Sequence, residues 1–93
     1  VPFNIASYSL LVCILSEILD LKPGEFIWTG GDCHIYNNHH DQVREQIKRR
    51  PAGSPKLEIP KLSSIDDVLK SNTGDYKLIG YNPMKSIKAP MAV

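Results

Sequence analysis

Residues 30–40, Gly-Gly-Asp-Cys-His-Ile-Tyr-Asn-Asn-His-His, bring a carboxylate, a thiol, three imidazoles and a phenol into eleven positions. Three chemistries could use such a set: a metal centre, a thiol nucleophile with its base, or a clamp for a small polar molecule. A metal would recruit Cys33, His34, His39 and His40, but neighbours on a strand face apart and neighbours on a helix diverge by about 100°. No pair among the four has the i, i+4 helical spacing or the Cys-x-x-Cys spacing that makes a zinc site legible. A Cys33 thiolate with His34 as its base fails on the same geometry. Cys13 sits in an apolar stretch, where a thiol acts as a small inert hydrophobe. What survives is His34 and Tyr36, two residues apart and therefore on one face of a strand. They either present a ring nitrogen and a phenol to a polar ligand, or are satisfied half-buried strand residues. Spacing alone does not decide between the two.

The elements that must position these residues follow from periodicity and turn chemistry. The opening, Val-Pro-Phe-Asn-Ile-Ala-Ser-Tyr-Ser-Leu-Leu-Val-Cys-Ile-Leu-Ser, predicts a helix from Asn4 to about Leu19. Its apolar residues point in nearly every direction, the pattern of a helix buried on all sides. With Pro2, Asn4 and several serines it is too short and too polar for a membrane span of ~20 apolar residues. Leu21–Glu25 is a Pro-Gly turn, and Phe26–Thr29 reads as a strand. Gly30-Gly31 predicts a bulge or the close approach of another backbone, after which Cys33–Tyr36 resumes alternation. Roughly Asn38–Arg50 is helical, with His40, Val43 and Ile47 as its stripe and Lys48, Arg49 and Arg50 at the cation-favouring end. Lys56–Ile59 is a short strand, and Ser64–Asp67 a loose capping box opening a helix to about Leu69. Asn72–Asp75 is a turn, Tyr76–Tyr81 a strand, and the rest a proline-containing tail. The order suits an α/β or α+β layer with long connections.

Bulk properties bound the rest. A chain of 93 residues is one domain at most and buries only roughly 60–65% of its unfolded surface. About 70 residues, many polar, are too few to cover an all-round apolar helix, so the chain reads as part of something larger. Eleven Lys+Arg against ten Asp+Glu leave a formal net charge of +1, no footprint for DNA or for an acidic membrane surface. Two cysteines, twenty positions apart, make no disulfide framework, and a reducing, cytoplasmic setting is expected. No secretory signal pattern opens the chain.

Four separated segments, Pro-Phe-Asn-Ile-Ala-Ser-Tyr (2–8), Gly-Gly-Asp-Cys-His-Ile-Tyr-Asn-Asn-His-His-Asp-Gln (30–42), Ile-Gly-Tyr-Asn-Pro (79–83) and Ile-Lys-Ala-Pro-Met-Ala-Val (87–93), resemble in order and spacing the C-terminal part of thymidylate synthase. The resemblance runs end to end and makes residues 1–93 a C-terminal segment of that fold, with 87–93 as its closing tail. It implies an incomplete α/β (α+β) piece: a long buried helix plus strands of a larger sheet. It also implies reductive methylation of dUMP to dTMP, with 5,10-methylenetetrahydrofolate as cosubstrate, in a homodimeric enzyme. Carried over residue by residue, Asn4 matches the asparagine that reads the uracil edge, whose amide can donate to O4 and accept from the ring N–H. His34 and Tyr36 match the pair that holds the deoxyribose 3′-hydroxyl. Phe3 matches an aromatic that packs on the folate ring system, and Met91, Ala92 and Val93 match the tail that closes over it. Cys33 stands where many members have threonine, and Gly30 and Gly31 read as structural.

The departures from the family pattern are as informative. The nucleophilic cysteine in its Pro-Cys-His context is absent, as are the phosphate-binding arginines and the acid that holds the pterin. No catalytic residue is therefore expected in this chain, and without cationic partners a phosphate loses its strongest hydrogen bonds. The resemblance implies an enzyme working only with a complementing N-terminal part. A uridylate hydroxymethylase piece would keep Asn4 equally well, and a non-catalytic remnant would show an uncovered apolar helix without any partner chain.

Overall fold

The computed structural model describes residues 1–91. It is a mixed helix and strand structure in two compact units, Val1–Thr29 with Leu57–Ile79, and Gly30–Lys56 with Gly80–Val93.

The first unit is built on α1, Pro2–Ile18. Pro2 occupies the first turn, where its missing N–H costs nothing and its fixed φ suits the helix, so α1 starts two residues before the expected Asn4. Ser9 and Ser16 return their hydroxyls to the carbonyls of Ile5 and Val12, both at 2.7 Å, which removes two polar groups from an otherwise apolar surface. The helix stops at a Schellman turn. Leu21 N–H donates to Ser16 O at 2.8 Å and Asp20 N–H to Glu17 O at 3.2 Å, with Asp20 in the left-handed region at φ 52°. As the shortage of covering residues implies, no residue of α1 is buried; Phe3 and Tyr8 on it, and Leu19 just past its end, are largely exposed. Leu62 is the one buried hydrophobic side chain among the described residues. This length of chain has too little apolar material to cover a helix apolar on every side.

Beyond α1, the unit holds a two-stranded sheet of β1 (Lys56–Glu58) and β2 (Lys77–Ile79), and the short helix α3 (Ile65–Lys70). Ser64 caps α3, its Oγ accepting from Asp67 N–H at 3.2 Å. The Asp67 carboxylate reaches back one residue further than a capping box would, to the Ser63 N–H at 2.9 Å. After α3, Ser71 Oγ donates to Val68 O at 2.7 Å and meets the Tyr76 hydroxyl at 2.8 Å. A single turn of tight helix, Thr73–Asp75, is closed by Asn72 and Asp75 in a reciprocal box.

The second unit contains one tight turn, Asn37–His39, running into α2, His40–Lys48. The expected stripe of His40, Val43 and Ile47 is not its packed face: His40 is exposed and Ile47 is 75% exposed. Half-buried His39, Gln42, Val43 and Arg49 lie along it instead, because the segment after Gly80 lies there. Gly80 turns the chain out of β2 at φ 75°, a conformation that favours glycine.

Two strand expectations are corrected. Phe26–Thr29 and Cys33–Tyr36 carry no ladder, and Gly31 sits in a bend rather than a bulge, with nothing within 4 Å of where a Cβ would stand. Their β-branched and aromatic residues suit a pleated surface, but propensity makes a strand only where another strand takes its N–H and C=O groups. Within the described residues none does.

Candidate functional site

Although Cys33–Tyr36 forms no strand, the i, i+2 spacing still brings His34 and Tyr36 together. Their rings meet edge to face, with centroids 5.2 Å apart and planes at 81°. That arrangement sets a positive ring edge against a negative face. Both residues are about half exposed, so their polar atoms are open to a ligand.

Sequence spacing does not single out Asp32, yet its Oδ1 lies 3.0 Å from Nδ1 of His34. A carboxylate only accepts, so the His34 proton sits on Nδ1 and, in the neutral ring, Nε2 is left as a lone-pair acceptor. A ligand hydroxyl can then donate to His34 Nε2 while the Tyr36 hydroxyl donates to its oxygen. An acid two positions before the histidine is a readable signal, since it marks the same face in extended chain.

The sequence presents His39 only as a metal candidate. Its ring also stands edge to face with Tyr36, at 5.5 Å and 86°, and its Nε2 lies 2.6 Å from the carbonyl oxygen of Pro90. A carbonyl only accepts, so His39 carries its proton on Nε2, the opposite tautomer from His34. Cys33 is free and exposed. Among the described residues no group of three His, Cys, Asp or Glu side chains could hold a metal ion.

The remaining sequence-predicted residues are placed as follows. Phe3 and Asn4 lie in the first turn of α1, in the other unit, Phe3 81% exposed and Asn4 exposed with no hydrogen-bond partner among the described residues. Met91 is 85% exposed. Ala92 and Val93 lie outside the described residues. Each by itself offers apolar surface, an aromatic face at Phe3 and a thioether at Met91, of the kind that suits a folate ring system, and neither side chain carries a donor for a pterin edge. Two cavities, of about 530 Å³ around Gln46, Arg49, Pro51, Tyr81 and Met84 and about 460 Å³ around Leu10, Ile14, Val68, Ser71 and Tyr76, are lined by none of these residues. Among the described residues no helix is long and apolar enough to cross a membrane.

Comparison with known proteins bears on what the clamp is for. A family described as thymidylate synthase matches residues 1–93. Thymidylate synthases of three strains of Coxiella burnetii (Dugway 5J108-111, RSA 331 / Henzerling II and RSA 493 / Nine Mile phase I) are each 52% identical to this chain over 94 aligned residues. The alignment covers 100% of this chain and 34% of each relative, so the chain spans about a third of the length of the curated relatives it matches.

Proposed function

The chain belongs to the thymidylate synthase family, and on that premise we propose that it is the nucleotide-clamping C-terminal part of an enzyme that methylates dUMP to dTMP. The observation that carries the reading is the Asp32–His34–Tyr36 arrangement, in which a tautomer-fixed imidazole and an edge-packed phenol offer one acceptor and one donor to a single hydroxyl. A deoxyribose 3′-hydroxyl has that complementary pair of functions. Asn4, with its amide open, reads the uracil edge, donating to O4 and accepting from the ring N–H. Cytosine reverses both functions.

Phe3 gives flat apolar contact to the ring system of 5,10-methylenetetrahydrofolate, and Met91, Ala92 and Val93 belong to the closing tail, residues 87–93, that covers it. The folate, when bound, supplies the one-carbon unit and the hydride. This chain's contribution is to hold the nucleotide by its sugar and base and to exclude water from the folate.

The nucleophile, the phosphate-binding arginines and the acid for the pterin come from a complementing N-terminal part, in a homodimeric assembly without DNA or membrane. The exposed apolar surface of α1 supports that reading, since a complementing part would bury it. The test is thymidylate formation from dUMP and methylenetetrahydrofolate by this chain mixed with a family N-terminal part, against each piece alone. Turnover in the mixture only is expected. 5-Hydroxymethyl-dUMP as product would identify a hydroxymethylase instead. Absence of both product and dUMP binding in a soluble mixture would leave a remnant.

A further inference from the structure

Three side chains of the α2 segment bond backbone carbonyls of the chain's last residues in strict reverse order. Arg49 Nη1 donates to Lys85 O at 2.6 Å, Gln42 Nε2 to Lys88 O at 3.3 Å, and His39 Nε2 to Pro90 O at 2.6 Å. The spacing closes arithmetically. Seven residues from Gln42 to Arg49 advance about 10 Å along a helix at 1.5 Å each, and three residues from Lys85 to Lys88 advance about 10 Å in extended chain at 3.3 Å each. Two helical turns also return Gln42 and Arg49 to one face. Glu45, four residues before Arg49, takes the other arm of its guanidinium and fixes its direction. All three acceptors are main-chain atoms, so these hydrogen bonds set register without regard to side-chain identity. His39 does a second thing: its ring stands edge-on to Tyr36, the phenol of the sugar clamp.

We propose that His39, Gln42 and Arg49 form a rail that docks residues 85–90, and that His39 is the positioning residue through which a nucleotide held at Tyr36 tightens that docking. Orienting Tyr36 on a 3′-hydroxyl restrains the ring against which His39 packs, and a restrained His39 keeps its N–H on Pro90. The rail needs no ligand. The coupling rests on the proposed dUMP clamp.

Trypsin reads the rail directly, because the carbonyls of Lys85 and Lys88 are the scissile ones. In the assembly of this chain with its N-terminal part, release of fragments 86–93 and 89–93 is followed by mass spectrometry, with cleavage after exposed Lys70 in the other unit as internal control. Gln42→Ala, Arg49→Ala and the milder Arg49→Lys are expected to speed tail release by about fivefold for each hydrogen bond removed, the effect of one net hydrogen bond on an opening equilibrium, without changing the Lys70 rate. Unchanged release in all three overturns the rail.

The coupling is read by adding dUMP or its 3′-deoxy analogue. The wild-type assembly is expected to be protected by dUMP and not by the analogue. His39→Phe keeps the ring packing without the donor, and His39→Gln keeps a donor without the ring. Both are expected to bind dUMP yet lose the protection. Protection that persists in both variants, or is absent from a wild-type assembly that binds dUMP, overturns the coupling. An assembly that neither binds dUMP nor forms thymidylate overturns the clamp reading and the coupling with it, while the nucleotide-free cleavage rates still judge the rail.

Discussion

At the scale of single residues, the site depends on where protons sit. Asp32 puts the His34 proton on Nδ1 and Pro90 puts the His39 proton on Nε2, so two histidines five positions apart do opposite work. Asp32→Ala frees the His34 tautomer and is expected to weaken dUMP binding by the assembled enzyme about tenfold. Binding of the 3′-deoxy nucleotide should hardly change, because the carboxylate acts only through the sugar hydroxyl; equal losses for both ligands in a titration would make Asp32 merely structural. At the base edge, Asn4→Asp replaces a donor and an acceptor by acceptors alone, and dUMP affinity should fall by ~1–3 kcal/mol relative to a control nucleotide lacking O4. The pair His34/Tyr36 is legible from a spacing of two. Asp32 shares that spacing with His34 and could have been read with it; the roles of Gln42 and Arg49 could not, because side chains whose partners are distant main-chain carbonyls leave no type pattern in the sequence.

At the scale of elements, the helices are legible and two strands are not. Helices satisfy their own main chain, so α1, α2 and α3 stand close to their predicted bounds. Phe26–Thr29 and Cys33–Tyr36 have the residues of strands but no described partner to hydrogen-bond them, and a strand is a property of a pair. The end of α1 is also hidden, since a left-handed residue there is usually glycine and here is Asp20 at φ 52°. Asp20→Gly is expected to raise stability by up to about 1 kcal/mol, read from the urea midpoint of the assembled protein, whereas Gly80→Ala at φ 75° should lower it by about 1–2 kcal/mol. The N-terminus of α3 carries a pH dependence. The Ser63 backbone N–H first, then the Ser64 side chain, hold the Asp67 carboxyl below its ordinary value of 3.8. A carboxylate with a depressed folded value stabilises above its unfolded value and ceases to as pH falls through the folded one. Exchange protection of the Ser63 and Asp67 amides, corrected for intrinsic rate, should therefore be flat from neutrality to about pH 4 and fall below it. In Asp67→Asn that fall should vanish.

At the scale of the whole molecule, the decisive fact is an apolar helix with one face left uncovered. Phe3, Tyr8, Leu11 and Leu15 on α1 are 81, 60, 45 and 41% exposed, and Leu19 just past its end is 62% exposed. A stable interface buries about 800 Å² on each partner, and each large apolar side chain fully covered contributes roughly 1.5–3 kcal/mol. The chain spans 34% of its relatives' length, and the proposed N-terminal part would be the cover. If α1 is the seam, the isolated chain should bind a hydrophobic dye and the dye should be displaced when the N-terminal part is added. Leu11→Asp or Leu15→Asp should then abolish both displacement and thymidylate formation, because a carboxylate buried without a partner costs more than the apolar packing it replaces. The exposed positions of α2 offer the matching control. Ile47, 75% exposed in the other unit, should accept aspartate with assembly and turnover intact. If Ile47→Asp blocks assembly while Leu11→Asp does not, the seam lies on α2 and the apolar face of α1 serves something else.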